Sequence, residues 1–257
     1  MSGIIAHSAE VRGTSYLGRL LDVVAAVAAA PAEGISASEL AERTETPAST
    51  LSRLVRILDD RGLVRRLPTR RLAPGPALTT LGLRSLRSLA GDDYRAAVAE
   101  LAQLTGESSS VALLVGDEIT LVARQESAHA LRYVASVGDA IPPHRSAIGK
   151  AVLAHVDERR RRAILERAVG DAWEAVLAEL ADELEAVARE GFARDEEVFA
   201  VGLRCIAAPL RDGGGTAFGG VSVSGPTVRF TREVADGYVA PLLAHAQRIG
   251  HLRRGTA

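Results

Sequence analysis

Lysine, cysteine and tryptophan each occur once in this 257-residue chain, and aromatic residues make up only 4% of it. A single cysteine, Cys205, excludes an internal disulfide and any two-cysteine zinc pattern, and it fits a reducing cytoplasm. No His-Glu-x-x-His occurs, so no metal or other cofactor is expected. Long apolar runs are also missing. The best candidate, Leu20–Ala30, is too short to span a bilayer and carries Asp22. The N-terminal MSGIIAHSAEVRG lacks the basic-then-apolar order of a signal peptide. These absences point to a cytoplasmic protein without a membrane partner.

What is present is ordinary for a globular chain: 47% apolar and 25% charged residues, and enough length for two modest domains. The net charge of −1 carries no nucleic-acid signature, but its distribution does. Residues 1–88 hold twelve arginines against eight acids, whereas the remainder holds 19 basic and 24 acidic residues. Such asymmetry suggests a basic module joined to a different one.

In the basic part, Leu17, Leu20, Leu21, Val24 and Val27 recur at helical spacing, which predicts a helix over Ser15–Ala29 ended by Pro31 and Gly34. Ser36 and Glu39 form a capping box, with Ile35 and Leu40 at the staple positions, so a second helix runs from Ala37 to about Arg43. Thr46 is an N-cap candidate and Pro47 suits a first helical position; the third helix then runs to about Arg61 and stops at Gly62. A gap of about three residues between the last two helices is helix-turn-helix spacing.

The faces of the third helix differ chemically. Leu51, Leu54, Val55 and Leu58 cluster on one side, whereas Ser49, Arg53 and Arg56 lie opposite, flanked by Thr50 and Ser52. A salt-bridged surface helix would mix acids and bases at four-residue spacing. This face carries short hydroxyls and arginines, which suit phosphates and base edges. Leu63–Leu67, a turn at Pro68-Thr69-Arg70, and Arg71–Ala73 read as a hairpin, a wing bearing Arg65, Arg66, Arg70 and Arg71. From Arg43 to Arg87 there are ten arginines against three acids, which favours double-stranded DNA as a partner.

A connecting helix is expected over Leu78–Leu89, a break at Gly91-Asp92-Asp93, and a helix over Tyr94–Thr105. Strands follow at Ser110–Val115, Ile119–Arg124 and Leu131–Val137, then helices at Ala147–His155 and Asp171–Glu190. Cys205–Leu210 and Phe218–Ser224 read as two more strands. Thr231–Ile249 reads as a closing helix bent at Pro241. The four arginines Arg159–Arg162 read as a solvated surface. Hairpins flanked by helices define an α+β domain with an antiparallel sheet.

Four segments, TPASTLSRLVRILDDRGLVRR, HRSAIGKAVLAHV, REGFARDEEVFAVGLRCIAAPL and GGVSVSGP, resemble in this order the marks of the IclR family of bacterial transcription regulators. The resemblance covers about Ser15 to Gly250. It implies a winged helix-turn-helix over 15–76, a connecting helix over 77–91, and a GAF-like effector domain over 92–251. It also implies dimers or tetramers on palindromic operators near genes of small-molecule metabolism. Carried over by motif, the effector pocket comprises Asp195, Cys205, Ser222, Ser224 and the backbone of Ala147 and Ile148.

That set is chemically coherent. Ser222 and Ser224 share a strand face. A helix start at Ala147 suits a carboxylate, which makes a carboxylic acid the expected effector. Asp195 would repel that carboxylate unless it meets a hydroxyl or is protonated. Few aromatics are available for stacking, which leans toward a small aliphatic acid. Lys150 is expected to pair with an acid, and His144 to be a turn residue. The wing lacks the family's usual aromatic-and-glycine turn.

Two other readings stay open: a C-terminal domain that only dimerises, and an enzyme using Cys205 with His144. Against the enzyme, Gly220–Ser224 ends in serine where a nucleophile elbow needs glycine. Phe218 likewise stands where the dinucleotide fingerprint needs its third glycine.

Overall fold

A computed structural model describes residues 16–89 and 91–252. The N-terminal MSGIIAHSAEVRG and Ser15 lie outside the described residues, as does Ala90 in the expected connecting segment. The chain divides into two compact units, Met1–Ser88 and Leu89–Ala257.

The first unit contains α1 (Tyr16–Ala28), α2 (Ala37–Arg43), α3 (Ala48–Asp60), β1 (Val64–Arg66) and β2 (Leu72–Pro74), and it leads into α4 (Pro76–Leu89). The capping box forms as the sequence requires: Ser36 Oγ accepts the Glu39 N–H and Glu39 accepts the Ser36 N–H. Thr46 does not cap α3. Its hydroxyl donates to the Thr44 carbonyl, and Pro47 occupies the cap position, its carbonyl accepting from Leu51 at 2.9 Å. Leu51, Leu54, Val55 and Leu58 of α3 pack with Val23, Val27, Leu40, Val64 and Leu72 into one core. β1 and β2 pair antiparallel as the wing, and Ile35 bridges to Leu72 on the other edge of β2.

The second unit is built on a six-stranded antiparallel sheet of order β5-β4-β3-β8-β7-β6. Its strands are β3 (Ser108–Val115), β4 (Glu118–Gln125), β5 (Ala140–Ile141), β6 (Ala193–Glu196), β7 (Leu203–Arg211) and β8 (Ala217–Pro226). One face carries α5 (Asp92–Thr105) and α10 (Val239–Leu252). The other carries α6 (Ala147–Leu153), backed by α7 (Glu158–Val169) and α8 (Trp173–Glu190). With both faces covered, all ten residues of β8 are buried.

Three expectations need correction here. Leu131–Val137 is not a strand, because the ladder beside β4 is taken by the backbone of Gly138 and Asp139 and by β5. Leu131 and Val134 are left exposed. The closing helix is two helices, α9 (Arg232–Gly237) and α10, with Pro241 in the first turn of α10, where a missing N–H costs nothing. The arginine run is structural as well as solvated. Arg161 Nε donates to the Leu153 carbonyl at 2.8 Å, closing the end of α6, and Arg160 pairs with Asp117 at 2.8 Å. Among the described residues no helix is long and apolar enough to cross a membrane.

Candidate functional site: an effector cavity and a DNA-facing helix

The cavity is assembled by sheet register. Asp195 on β6 lies opposite Cys205 on β7, which lies opposite Ser224 on β8. Two residues along, Ser222 on β8 lies opposite Ser110 on β3, which lies opposite Arg124 on β4. Alternation of side chains puts both rows on the face covered by α6. Gly149 lets the Pro142-Pro143 turn fold tightly against the start of α6, since a Cβ there would stand 2.2 Å from the Pro143 carbonyl oxygen, and on the sheet Gly220 makes room for Ile148 of α6, whose Cγ2 would lie 3.0 Å from a Cβ. Ser146 caps the helix: its Oγ accepts the Gly149 N–H at 3.0 Å and donates to the Pro142 carbonyl at 2.7 Å.

The result is a small cavity of about 50 Å³. All six residues expected from the sequence, Ala147, Ile148, Asp195, Cys205, Ser222 and Ser224, line it. Ser110, Arg124, Tyr133 and Phe199 line it too and were missed. Signals existed: Arg124 is a charge at the end of an otherwise apolar run, and Tyr133 is one of four tyrosines. The aromatic scarcity of the whole chain is therefore not a property of the pocket. Tyr133 and Phe199 meet there edge-on, with ring centroids 5.5 Å apart.

Asp195 is 1% exposed. Its Oδ1 accepts the N–H groups of Val198 at 3.1 Å and Phe199 at 3.2 Å, which fixes the loop after β6. Burial pushes its carboxyl above the usual range, and those bonds and the nearby Lys150 only partly oppose this. Lys150 is buried and donates to Glu183 Oε1 at 2.8 Å, the acid pairing expected of it. Burial, reinforced by Asp195, pushes the Cys205 thiol up to about 12, so it is protonated at neutral pH and a poor nucleophile. His144, in the turn before α6, is held below its ordinary value by burial and then by Arg145.

In the first unit, Ser49, Ser52, Arg53 and Arg56 are exposed on α3, and Thr50 is partly so. At 100° per residue the four exposed side chains fall within an arc of about 100°, opposite the buried leucines. On the wing, Arg65, Arg66 and Arg70 are exposed. Arg65 Nε donates to the Pro74 carbonyl at 3.2 Å, and Arg66 lies 3.8 Å from Asp59. Arg71 is more committed: its Nε donates to the Gly34 carbonyl at 3.0 Å and its Nη2 to Glu39 at 2.8 Å.

A winged helix-turn-helix joined to a sheet domain with a polar-lined cavity defines a DNA-binding transcriptional regulator. The family described as bacterial transcriptional regulator IclR C-terminal matches residues 92–251, and the MarR family matches 20–71. The regulator BhcR of Paracoccus denitrificans is 33% identical over 226 residues, covering 85% of this chain and 80% of that protein. KdgR of Escherichia coli K12 is 32% identical over 228 residues, covering 84% of each. The fold is shared with an IclR homologue from Microbacterium hydrocarbonoxydans complexed with 4-hydroxybenzoate. The TM-score is 0.73 at 23% identity, covering 94% of this chain and 100% of that one. The chain belongs to the IclR family.

Proposed function

We propose that this regulator binds a palindromic operator as a cytoplasmic homodimer or a tetramer of dimers, with its operator affinity set by an organic acid in the cavity of the second unit. Its parts are a winged helix-turn-helix over 15–76, a connecting helix over 77–91 and an effector-binding and oligomerisation domain over 92–251. In this reading α3 enters the major groove, with Ser49, Thr50, Ser52 and Arg53 toward bases. Arg56 and the wing arginines Arg65, Arg66, Arg70 and Arg71 face phosphates. The observation that carries the effector role is convergence: residues from six strands and one helix, far apart in sequence, meet around one polar-lined cavity.

Regulation requires the acid to bind one DNA-affinity state better than the other. A coupling of roughly 1–3 kcal/mol, about 5–150-fold in affinity, is enough. The high thiol value of Cys205 supports a binding role over a catalytic one. The test is a thermal-shift screen of carboxylic acids, followed by DNA binding with each stabilising acid. At least one acid is expected both to raise the melting temperature and to change affinity for the upstream intergenic fragment. Stabilisation without any change in DNA affinity would reduce the second domain to a ligand-binding dimeriser.

A further inference from the structure

A cavity of about 50 Å³ has room for roughly three to five waters. By comparison, a benzene ring fills an apolar cavity of about 150 Å³. The walls that impose this limit are of two kinds. Asp195, Cys205, Ser222 and Ser224 belong to the sheet, and Leu121, Ala147 and Ile148 belong to the core between the sheet and α6. Tyr133 and Phe199 are different. Both stand on loops, both line the cavity while remaining half-buried, and neither is part of that core.

The two loops come from opposite halves of the sheet. Tyr133 lies between β4 and β5, and Phe199 between β6 and β7. Strands β3, β8 and β7 separate β4 from β6. The edge-on contact of the rings, with centroids 5.5 Å apart, therefore bridges the cavity across the three central strands. Each ring is anchored by its own backbone. The Tyr133 carbonyl accepts from Arg124 Nη2, and Arg124 Cζ lies 5.4 Å from the ring centroid. The Phe199 N–H donates to Asp195 Oδ1 at 3.2 Å. Beside it, the Val198 N–H donates to the same oxygen at 3.1 Å, and the Val198 carbonyl accepts from Arg145 Nη2 at 2.7 Å. The loop turns at Glu197, whose φ is 64° and whose carboxylate accepts the Gly202 N–H at 2.7 Å. A larger guest must break these bonds or force the rings off their rotamers, and that clash is the means of exclusion.

We infer that Tyr133 and Phe199 are the specificity-determining residues of the cavity: their rings hold it to an acid of two or three carbons, and removing either ring admits a larger one. This rests on the reading of the cavity as the effector site. Phe199→Ala vacates the space of one benzene ring on a half-exposed wall, so the sheet and α6 keep their places. Tyr133→Ala does the same, because the substitution leaves the carbonyl that Arg124 holds.

The test is calorimetric titration of the full-length protein with acetate, propionate, lactate and benzoate. The wild type is expected to bind at least one of the short acids more tightly than benzoate. Phe199→Ala and Tyr133→Ala are each expected to raise the affinity for benzoate relative to that short acid about 10–100-fold, the worth of burying a six-carbon ring. Tyr133→Phe keeps the ring and is expected to behave as the wild type. Melting temperature reports whether each variant is intact, and either alanine variant serves if the other does not fold. An unchanged ratio in an intact alanine variant overturns the assignment, and so does a wild type that binds benzoate as tightly as the short acids. In both cases the effector reading survives. A Tyr133→Phe variant that gains for benzoate as much as Tyr133→Ala assigns the exclusion to the hydroxyl and overturns the role of the ring. Failure of all four acids to bind any of these proteins overturns this inference and the acid reading of the cavity together.

Discussion

Arg53→Ala separates recognition from folding within one helix. Arg53 is exposed on α3 and has no hydrogen-bond or ion-pair partner among the described residues. An exposed substitution of this kind changes stability by within about 0.5 kcal/mol. Its neighbour Leu54 is fully buried in the helical core, and Leu54→Ala is expected to cost about 2–5 kcal/mol. The two variants therefore fail differently. If Arg53 reads guanine bidentately, its loss costs about 1–3 kcal/mol of discrimination. Fluorescence anisotropy with operator and scrambled duplexes across a salt series measures this. Arg53→Ala is expected to lose roughly 5–150-fold in its preference for operator at an unchanged melting temperature. A phosphate contact instead weakens both duplexes alike and reduces the log–log salt slope by about 0.9. Normal operator preference together with a normal salt slope in Arg53→Ala would refute the placement of α3 in the groove.

Other consequences follow from the same geometry. Arg71→Ala removes the bond from Arg71 Nε to the Gly34 carbonyl, so it is expected to lower the stability of the first unit by about 1 kcal/mol by chemical denaturation as well as weakening DNA binding. At about 12 instead of 9.0, the Cys205 thiol carries about a thousandfold less thiolate at pH 8, so iodoacetamide should modify it far more slowly than it modifies glutathione. Asp195 has a raised folded pKa, so its charged form opposes folding at neutral pH. That cost is relieved as pH falls through the raised value toward the ordinary 3.8. Asp195→Asn keeps an acceptor for Val198 and Phe199, so melting temperatures from pH 8 to pH 4 should show the wild type gaining on the variant. A constant difference would place Asp195 in a more solvated setting.

The first unit was almost wholly legible in the sequence because its signals are local. Ser36 and Glu39 cap α2, Gly62 stops α3, and the leucine stripe of α3 points where the core lies. Thr46 was misread because a hydroxyl beside a helix start can equally bond the preceding turn. In the second unit the errors were tertiary. Leu131, Tyr133, Ala135 and Val137 alternate as a strand does, but the only open edge of β4 was already filled. β6 was missed because ARDE has three charges in four residues, and it is a strand only because β7 offers it an edge. The six expected pocket residues come from family motifs; the sheet register gives the physical reason for Asp195, Cys205, Ser222 and Ser224, and the packing of α6 on the sheet that for Ala147 and Ile148. Arg124, Tyr133 and Phe199 sit on a strand end and two loops, positions whose convergence no local pattern encodes.

In the proposed function, occupancy of the second unit's cavity governs DNA affinity in the first. The most direct measurement compares wild type with Ser222→Ala/Ser224→Ala in binding the upstream intergenic fragment, with and without the acid that most stabilises the wild type. Equal, salt-sensitive affinity is expected without acid, and with acid a shift of roughly 5–150-fold that only the wild type shows. The same acid-induced shift in both proteins, or no salt-sensitive affinity in either, would contradict it.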